Sequence, residues 1–272
     1  MKKVILSLAA AAILASCAGG NKANSTETES DSIQSFQQTM ITENVMAHLD
    51  SIATQISQLE RLTFIHKLAL GEISLSEEQQ LVKPEYLLDL TTLDDLTTLK
   101  QQYSALGMLW MDKVVAKAYS YKADEYDAAL EKLVAKVSDP ALEGFFSDIQ
   151  SETDYADVIQ NFYNAEKENG RVNFFWAGIT ANLVEDFYIL TQQDESIIAE
   201  NIDDKAAENT TLHLMLAILS LEDLKEYDPE ISELCEAIQP LKKLDALTTE
   251  QLIQQLKDMQ GEIAAVRSFL LQ

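Results

Sequence analysis

The stretch of sequence that decides the fold is residues 172–190, VNFFWAGITANLVEDFYIL. It carries no charged side chain from residue 172 to residue 184, and apolar residues fall on most sides of the helix that it would form. A helix of this kind lies either in the middle of a bundle or in a membrane. Because the uncharged run is shorter than the roughly 20 apolar residues that span a bilayer, we predict the central helix of a core. Residues 212–221, LHLMLAILSL, are similar.

Outward from this segment, the chain has the apolar periodicity of amphipathic helices and no sustained alternation typical of strands. Apolar residues recur in steps of three and four along residues 45–59, 103–121, 130–137, 155–162 and 252–270. Capping residues precede the expected helix starts at Asp139-Pro140, at Asp228-Pro229 and at Thr248 or Thr249. The sequence therefore predicts an all-α fold of about nine helices with no sheet, arranged as a multi-helix bundle or as stacked helical hairpins.

The first seventeen residues, MKKVILSLAAAAILASC, predict where the protein acts. Two lysines are followed by a short apolar run and by Leu-Ala-Ser-Cys at residues 14–17, and the run is too short to be a finished membrane span. This leader resembles the type II signal peptide of bacterial lipoproteins, whose lipobox it matches. The resemblance implies that residues 1–16 are cleaved and that Cys17 becomes a lipidated N-terminus that attaches the protein to a membrane.

Behind Cys17 the chain divides into a tether and one domain. Residues 18–30 contain no apolar side chain larger than alanine, so burial cannot offset the conformational entropy that this stretch would lose on ordering. We therefore predict that residues 17–30 form a lipidated flexible tether, followed by a single α-helical domain at 31–272. Ala18, where an aspartate would retain the protein in the inner membrane, resembles outer-membrane sorting signals. Since the first acid is Glu27, a periplasm-facing protein of the bacterial cell envelope is favoured over a surface-exposed one.

Charge excludes several classes of partner. The chain has 45 acidic and 20 basic residues, a formal net charge of −25. Such a surface repels nucleic-acid phosphates and anionic lipid headgroups, so no nucleic acid is expected as a partner. With Cys17 lipidated, Cys235 has no cysteine to pair with, and its apolar neighbours predict a buried thiol.

No motif for catalysis or for metal binding is present in the sequence. The three histidines form no H-E-x-x-H or Glu-x-x-His pair and no Cys/His cluster, so the ligands of zinc and di-iron sites are lacking. Glycine-rich phosphate loops and the Gly-x-Ser-x-Gly elbow are absent as well. We therefore expect a protein that is not an enzyme, with no catalytic residues, no metal and no cofactor.

The best candidate for a binding site lies in the central segment itself. Polar groups at Asn173, Thr180, Asn182 and Glu185, together with Trp176, interrupt a stretch otherwise suited to burial. Polar groups in a core need partners, which cross-helix hydrogen bonds ordinarily supply and which a ligand pocket could also supply. The pocket hypothesis places Asn173, Trp176 and Glu185 around one ligand.

These patterns favour two functions over a third, an enzyme of unrecognised type. The first is a lipid-anchored envelope protein whose helical domain is a non-enzymatic interaction or structural module, with another envelope protein as its partner. The alternative is a small-ligand, glycan or peptide binding protein with a pocket beside Trp176. The oligomeric state is left open by the sequence.

One modification signal lies next to the tether. Asp31-Ser32-Ile33 resembles the Asp-Ser/Thr-aliphatic sequence that some gut bacteria O-glycosylate in exported proteins. The resemblance implies a glycan on Ser32.

Overall fold

The computed structural model describes residues 41–59, 64–73, 75–151 and 155–272, so the leader, Cys17, Ser32 and the tether lie outside the described residues. Within these ranges every regular element is helical and no residue lies in a strand. The α-helices are α1 (Glu43–Gln58), α2 (Phe64–Ala69), α3 (Glu77–Gln80), α4 (Leu99–Ala118), α5 (Ala123–Val137), α6 (Pro140–Ser151), α7 (Tyr155–Glu168), α8 (Val172–Thr191), α9 (Glu195–Asn201), α10 (Asp204–Leu224), α11 (Pro229–Ile238), α12 (Thr249–Asp258) and α13 (Gln260–Phe269). Short 3-10 helices span Leu90–Asp95 and Gln239–Lys243.

The predicted all-α fold is confirmed, with eleven helices of seven or more residues in the described part of the chain. The expected number was about nine. Part of the difference arises at the C-terminus, where one periodic seam is divided into α12 and α13. Met259 between them has φ −114° and ψ 10°, outside the helical region, so the helix is interrupted at this residue. The apolar spacing in the sequence nevertheless continues through it.

Helix α8 is the centre of the molecule, as the sequence predicts. Sixteen of its twenty residues are buried, and it packs against α4, α10 and α13 along its length. Its large apolar side chains therefore pack against several neighbouring helices. One connected core extends from Leu49 in α1 to Leu270 after α13.

The second uniformly apolar segment is less central than expected. In α10, Leu212 is 41% exposed and Leu219 is 40% exposed, although most of the residues between them are buried. The two leucines are seven residues apart and so share one face of the helix, which is the solvent-facing one.

The predicted helix starts are also confirmed. The carboxylate of Asp139 accepts a hydrogen bond from the Ala141 amide at the start of α6. Asp228 accepts from the Glu230 amide at the start of α11, and Thr248 caps α12 through the Gln251 amide. These local contacts fix where the helices begin and hence how they align around α8.

No helix in the described ranges has both the length and the apolar composition required to cross a membrane.

Candidate functional site

The three residues predicted to line a pocket have separate partners. The amide of Asn173 donates to Asp228 Oδ2 over 2.5 Å. Trp176 is fully buried against Phe175, and Glu185 binds Arg267. A helix rises 1.5 Å per residue, so Asn173 and Glu185 lie roughly 18 Å apart along α8. They do not surround one ligand.

A cleft lies instead on a neighbouring face of α8, between that helix and α4, α6 and α7. The cleft has a cavity volume of about 40 Å³ and opens to solvent at its mouth. Its described lining is almost wholly apolar and includes no charged side chain. The lining residues are Tyr103, Leu106, Gly107, Trp110, Leu142, Phe145, Phe146, Ile159, Phe162, Phe175, Gly178, Ile179 and Asn182.

Aromatic rings form the walls of this cleft. The rings of Phe145 and Phe162 stack with centroids 4.5 Å apart, and Phe162 lies 5.4 Å from Phe175. The ring centroids of Trp110 and Phe146, which also line the cleft, lie 6.0 Å apart. These are the separations of attractive ring contacts. Trp110 and Phe145 are only half-buried, so the rim is less tightly packed than the buried Phe175 behind it.

Two glycines bring the helices behind the cleft unusually close. A Cβ atom on Gly107 of α4 would lie 2.3 Å from the carbonyl oxygen of Gly178 in α8. A Cβ atom on Gly178 would lie 3.2 Å from the carbonyl oxygen of Tyr103. Only glycine allows α4 and α8 to cross at this distance, and the crossing sets the back wall of the cleft.

Asn182 is the polar group at this crossing. Its Nδ2 donates to the carbonyl oxygen of Gly107 over 3.0 Å. Its Oδ1 is buried and has no hydrogen-bond partner in the described part of the chain. A buried amide oxygen without a donor costs free energy, of the order of 1–3 kcal/mol. The wall of the cleft therefore contains one unsatisfied acceptor.

Tyr103 connects the cleft to a buried acidic cluster. Its hydroxyl lies 2.7 Å from Asp139 Oδ2 and 3.0 Å from Glu166 Oε2, and Arg171 donates to the same Asp139 oxygen over 2.6 Å. Burial, and then the nearby Asp139 carboxylate, raise the pKa of Glu166 to about 8. At neutral pH Glu166 is therefore protonated and can donate to the Tyr103 oxygen, while the Tyr103 hydroxyl donates to Asp139.

A second buried cluster lies on another side of α8. Arg267 donates two hydrogen bonds to the fully buried Glu185, over 2.6 and 2.8 Å, and its guanidinium lies over the Tyr188 ring. Asp112 Oδ2 accepts from the Leu88 amide over 2.7 Å. Burial and the Glu185 carboxylate raise the pKa of Asp112 well above its ordinary value. Its Oδ1 is buried and has no hydrogen-bond partner among the described residues. This cluster fastens α13 to α8.

The predicted buried thiol is confirmed, since Cys235 is 2% exposed, and burial raises its pKa. Among the described residues, no group of three or more histidine, cysteine or acidic side chains is arranged to hold a metal ion.

Sequence reasoning missed the cleft because it assigned the pocket to Trp176. A usable signal was present. Gly107 and Gly178 each lie inside a long apolar helical segment, where glycine is unfavourable unless another backbone approaches closely.

Comparison with known proteins found no family model, curated protein or solved structure that matches this chain.

Proposed function

We propose that this protein is a lipid-anchored envelope binding protein that holds a small apolar ligand in the aromatic cleft. The observation that carries the proposal is the combination of an apolar lining, in which six of thirteen residues are aromatic, with the unpaired oxygen of Asn182. Binding sites for small molecules are typically apolar concavities with a few fixed polar groups. Of the two functions that the sequence favours, the cleft supports ligand binding, although Trp176 does not line the cleft.

The composition of the lining favours an uncharged ligand. Among the described residues around the cleft no lysine, arginine or carboxylate is present to pair with an ionic ligand. Transferring an unpaired charge from water into such a site is strongly unfavourable. A ligand with rings or branched aliphatic groups would gain free energy by burying its surface against Phe162, Phe175 and their neighbours.

The anchoring half of the proposal depends on the leader. A lipid on Cys17 would keep the cleft within reach of a membrane surface, where apolar compounds concentrate. The support for this is the resemblance of residues 14–17 to a lipobox.

The two tryptophans allow a direct test of where the ligand binds. Trp110 lines the cleft, whereas Trp176 is fully buried outside its lining. In Trp176→Phe, fluorescence excited at 295 nm reports on Trp110, and saturating toluene should quench it or shift its maximum. Trp110→Phe, the matched control, should show little response. If the first variant folds, as judged by circular dichroism, and does not respond up to the solubility limit of toluene, the proposal fails.

Docking of another envelope protein is a second candidate function, and exposed apolar residues favour it. Leu81 is 81% exposed and Val82 is 63% exposed, which is unusual for side chains of this type next to each other. Crosslinking in intact envelopes should capture a partner with the parent chain and lose it with a Leu81→Ser, Val82→Ser double variant. Equal capture by both would exclude this surface.

A further inference from the structure

The Gly107 carbonyl oxygen fixes the orientation of the Asn182 side-chain amide. The Gly107 carbonyl oxygen can only accept a hydrogen bond, so the atom of Asn182 that faces it must be the NH₂ group. The oxygen is then the atom left without a partner. Anything that satisfies this site must therefore bring a donor.

From this we infer that the cleft selects a single uncharged ring that carries one O–H or N–H donor, of the phenol class, and that the donor binds Asn182 Oδ1. The inference rests on the proposed function and specifies its ligand. A buried acceptor that gains a donor recovers the free energy lost in its desolvation.

The size of the cleft limits the ligand to one ring. The cavity volume is about 40 Å³, smaller than the roughly 150 Å³ of an engineered apolar cavity that binds benzene, so side chains at the mouth must move outward when a ring enters. A flat ring can enter between the half-buried Trp110 and Phe145 and contact both walls. A long acyl chain would leave most of its length outside.

A positively charged ligand is the main alternative, because aromatic rings attract cations. The walls here are largely buried, with Phe175 1% exposed and Phe162 8% exposed, and no carboxylate lines them in the described residues. A cation would therefore lose its hydration without gaining a counter-charge. An uncharged donor is favoured.

Phenol and toluene provide the test, since they differ only in a hydroxyl against a methyl group of similar volume. Affinities are measured by calorimetry, or by ligand-observed NMR if binding is weak, with the parent chain and with Asn182→Leu. We expect the substitution to lower the affinity for phenol by about two- to tenfold, which corresponds to the loss of one net hydrogen bond. Toluene should bind the variant as tightly as the parent chain or more tightly. Benzylammonium should bind more weakly than either ring.

Ile179→Phe serves as the matched control, because it fills the cleft while the Asn182 acceptor is kept, and it should weaken the binding of both ligands. If both ligands bind and Ile179→Phe weakens both, but Asn182→Leu does not weaken phenol selectively, the ligand assignment is wrong while the proposed function stands. If neither ligand binds the parent chain, the proposed function itself is wrong. Tighter binding of benzylammonium than of phenol would also overturn the assignment.

A measurement on the unaltered chain guards against a variant that does not fold. The side-chain carbonyl ¹³C signal of Asn182 should shift when phenol is added and much less when toluene is added. Equal shifts with the two ligands would contradict a hydrogen bond to Oδ1.

Discussion

Gly107 and Gly178 meet where α4 crosses α8, and a Cβ atom on Gly107 would overlap the carbonyl oxygen of Gly178 at 2.3 Å. This contact is between backbones, so no side-chain rotation can relieve it. It brings Asn182 within hydrogen-bonding distance of the Gly107 carbonyl and fixes the back wall of the aromatic cleft. The stability of the core and the shape of the cleft thus depend on the same crossing.

Replacing Gly107 by alanine should separate the two helices. We expect Gly107→Ala to lower the free energy of unfolding by about 1–3 kcal/mol, the usual cost of overpacking, measured by urea denaturation. Gly144→Ala is the matched control, because a Cβ atom there would meet nothing within 4 Å. That change should stabilise α6 by up to about 1 kcal/mol. Equal effects of the two substitutions would show that the crossing is not tight.

The ion pair between Arg267 and Glu185 should affect the free energy of unfolding far more than a surface ion pair does. Glu185 is fully buried, so Arg267→Met would leave its charge without a partner, and we expect a loss of about 3–5 kcal/mol in unfolding free energy. Lys132→Met removes one half of an exposed pair with Asp94 and should change stability little. The idea that Arg267 fastens α13 to α8 is untenable if both variants unfold at the same denaturant concentration as the parent.

Glu166 should make the protein less stable as the pH rises. Its pKa is about 8 in the folded state against an ordinary value of 4.5, so between these values the folded chain holds a proton that the unfolded chain has lost. The stabilisation is complete below about pH 4.5, declines through neutral pH, and is gone above pH 8. Glu166→Gln, which mimics the protonated form, should flatten this decline in denaturation curves recorded from pH 5 to pH 9. An unchanged slope in the variant would refute the assignment.

Processing of the leader gives a prediction that is independent of the fold. Expressed with its leader in a bacterium that processes lipoproteins, the chain should be cleaved before Cys17 and should carry lipid on that residue, as mass spectrometry of the N-terminal peptide can show. Cys17→Ala should keep residues 1–16 and carry no lipid. A parent chain with an unmodified Cys17 thiol would remove the membrane anchor from the proposed function.

The sequence predicts those features that depend on neighbours along the chain. The burial of α8 follows from its own composition, and Asp139, Asp228 and Thr248 cap the helices that follow them directly. The site follows from contacts between distant segments. Asn182 meets Gly107 across 75 positions, and Arg267 meets Glu185 across 82. Periodicity shows which face of each helix is apolar, but not which helix will lie against it.

The trio proposed from sequence shows the same limit. Asn173, Trp176 and Glu185 lie close together in one apolar segment, but each successive position on a helix is rotated by about 100°. Asn173 therefore reaches Asp228, and Glu185 reaches Arg267, on different helices. Asn182 belongs to the same polar set, and it is the one that lies in a cleft wall.

The most direct test of ligand binding in the cleft is a crystal structure of the protein with phenol. We expect the ring between Trp110 and Phe162, with its hydroxyl oxygen about 2.8 Å from Asn182 Oδ1. A cleft that stays empty at a phenol concentration that saturates binding in solution, or a ring bound elsewhere on the molecule, would contradict the proposed site.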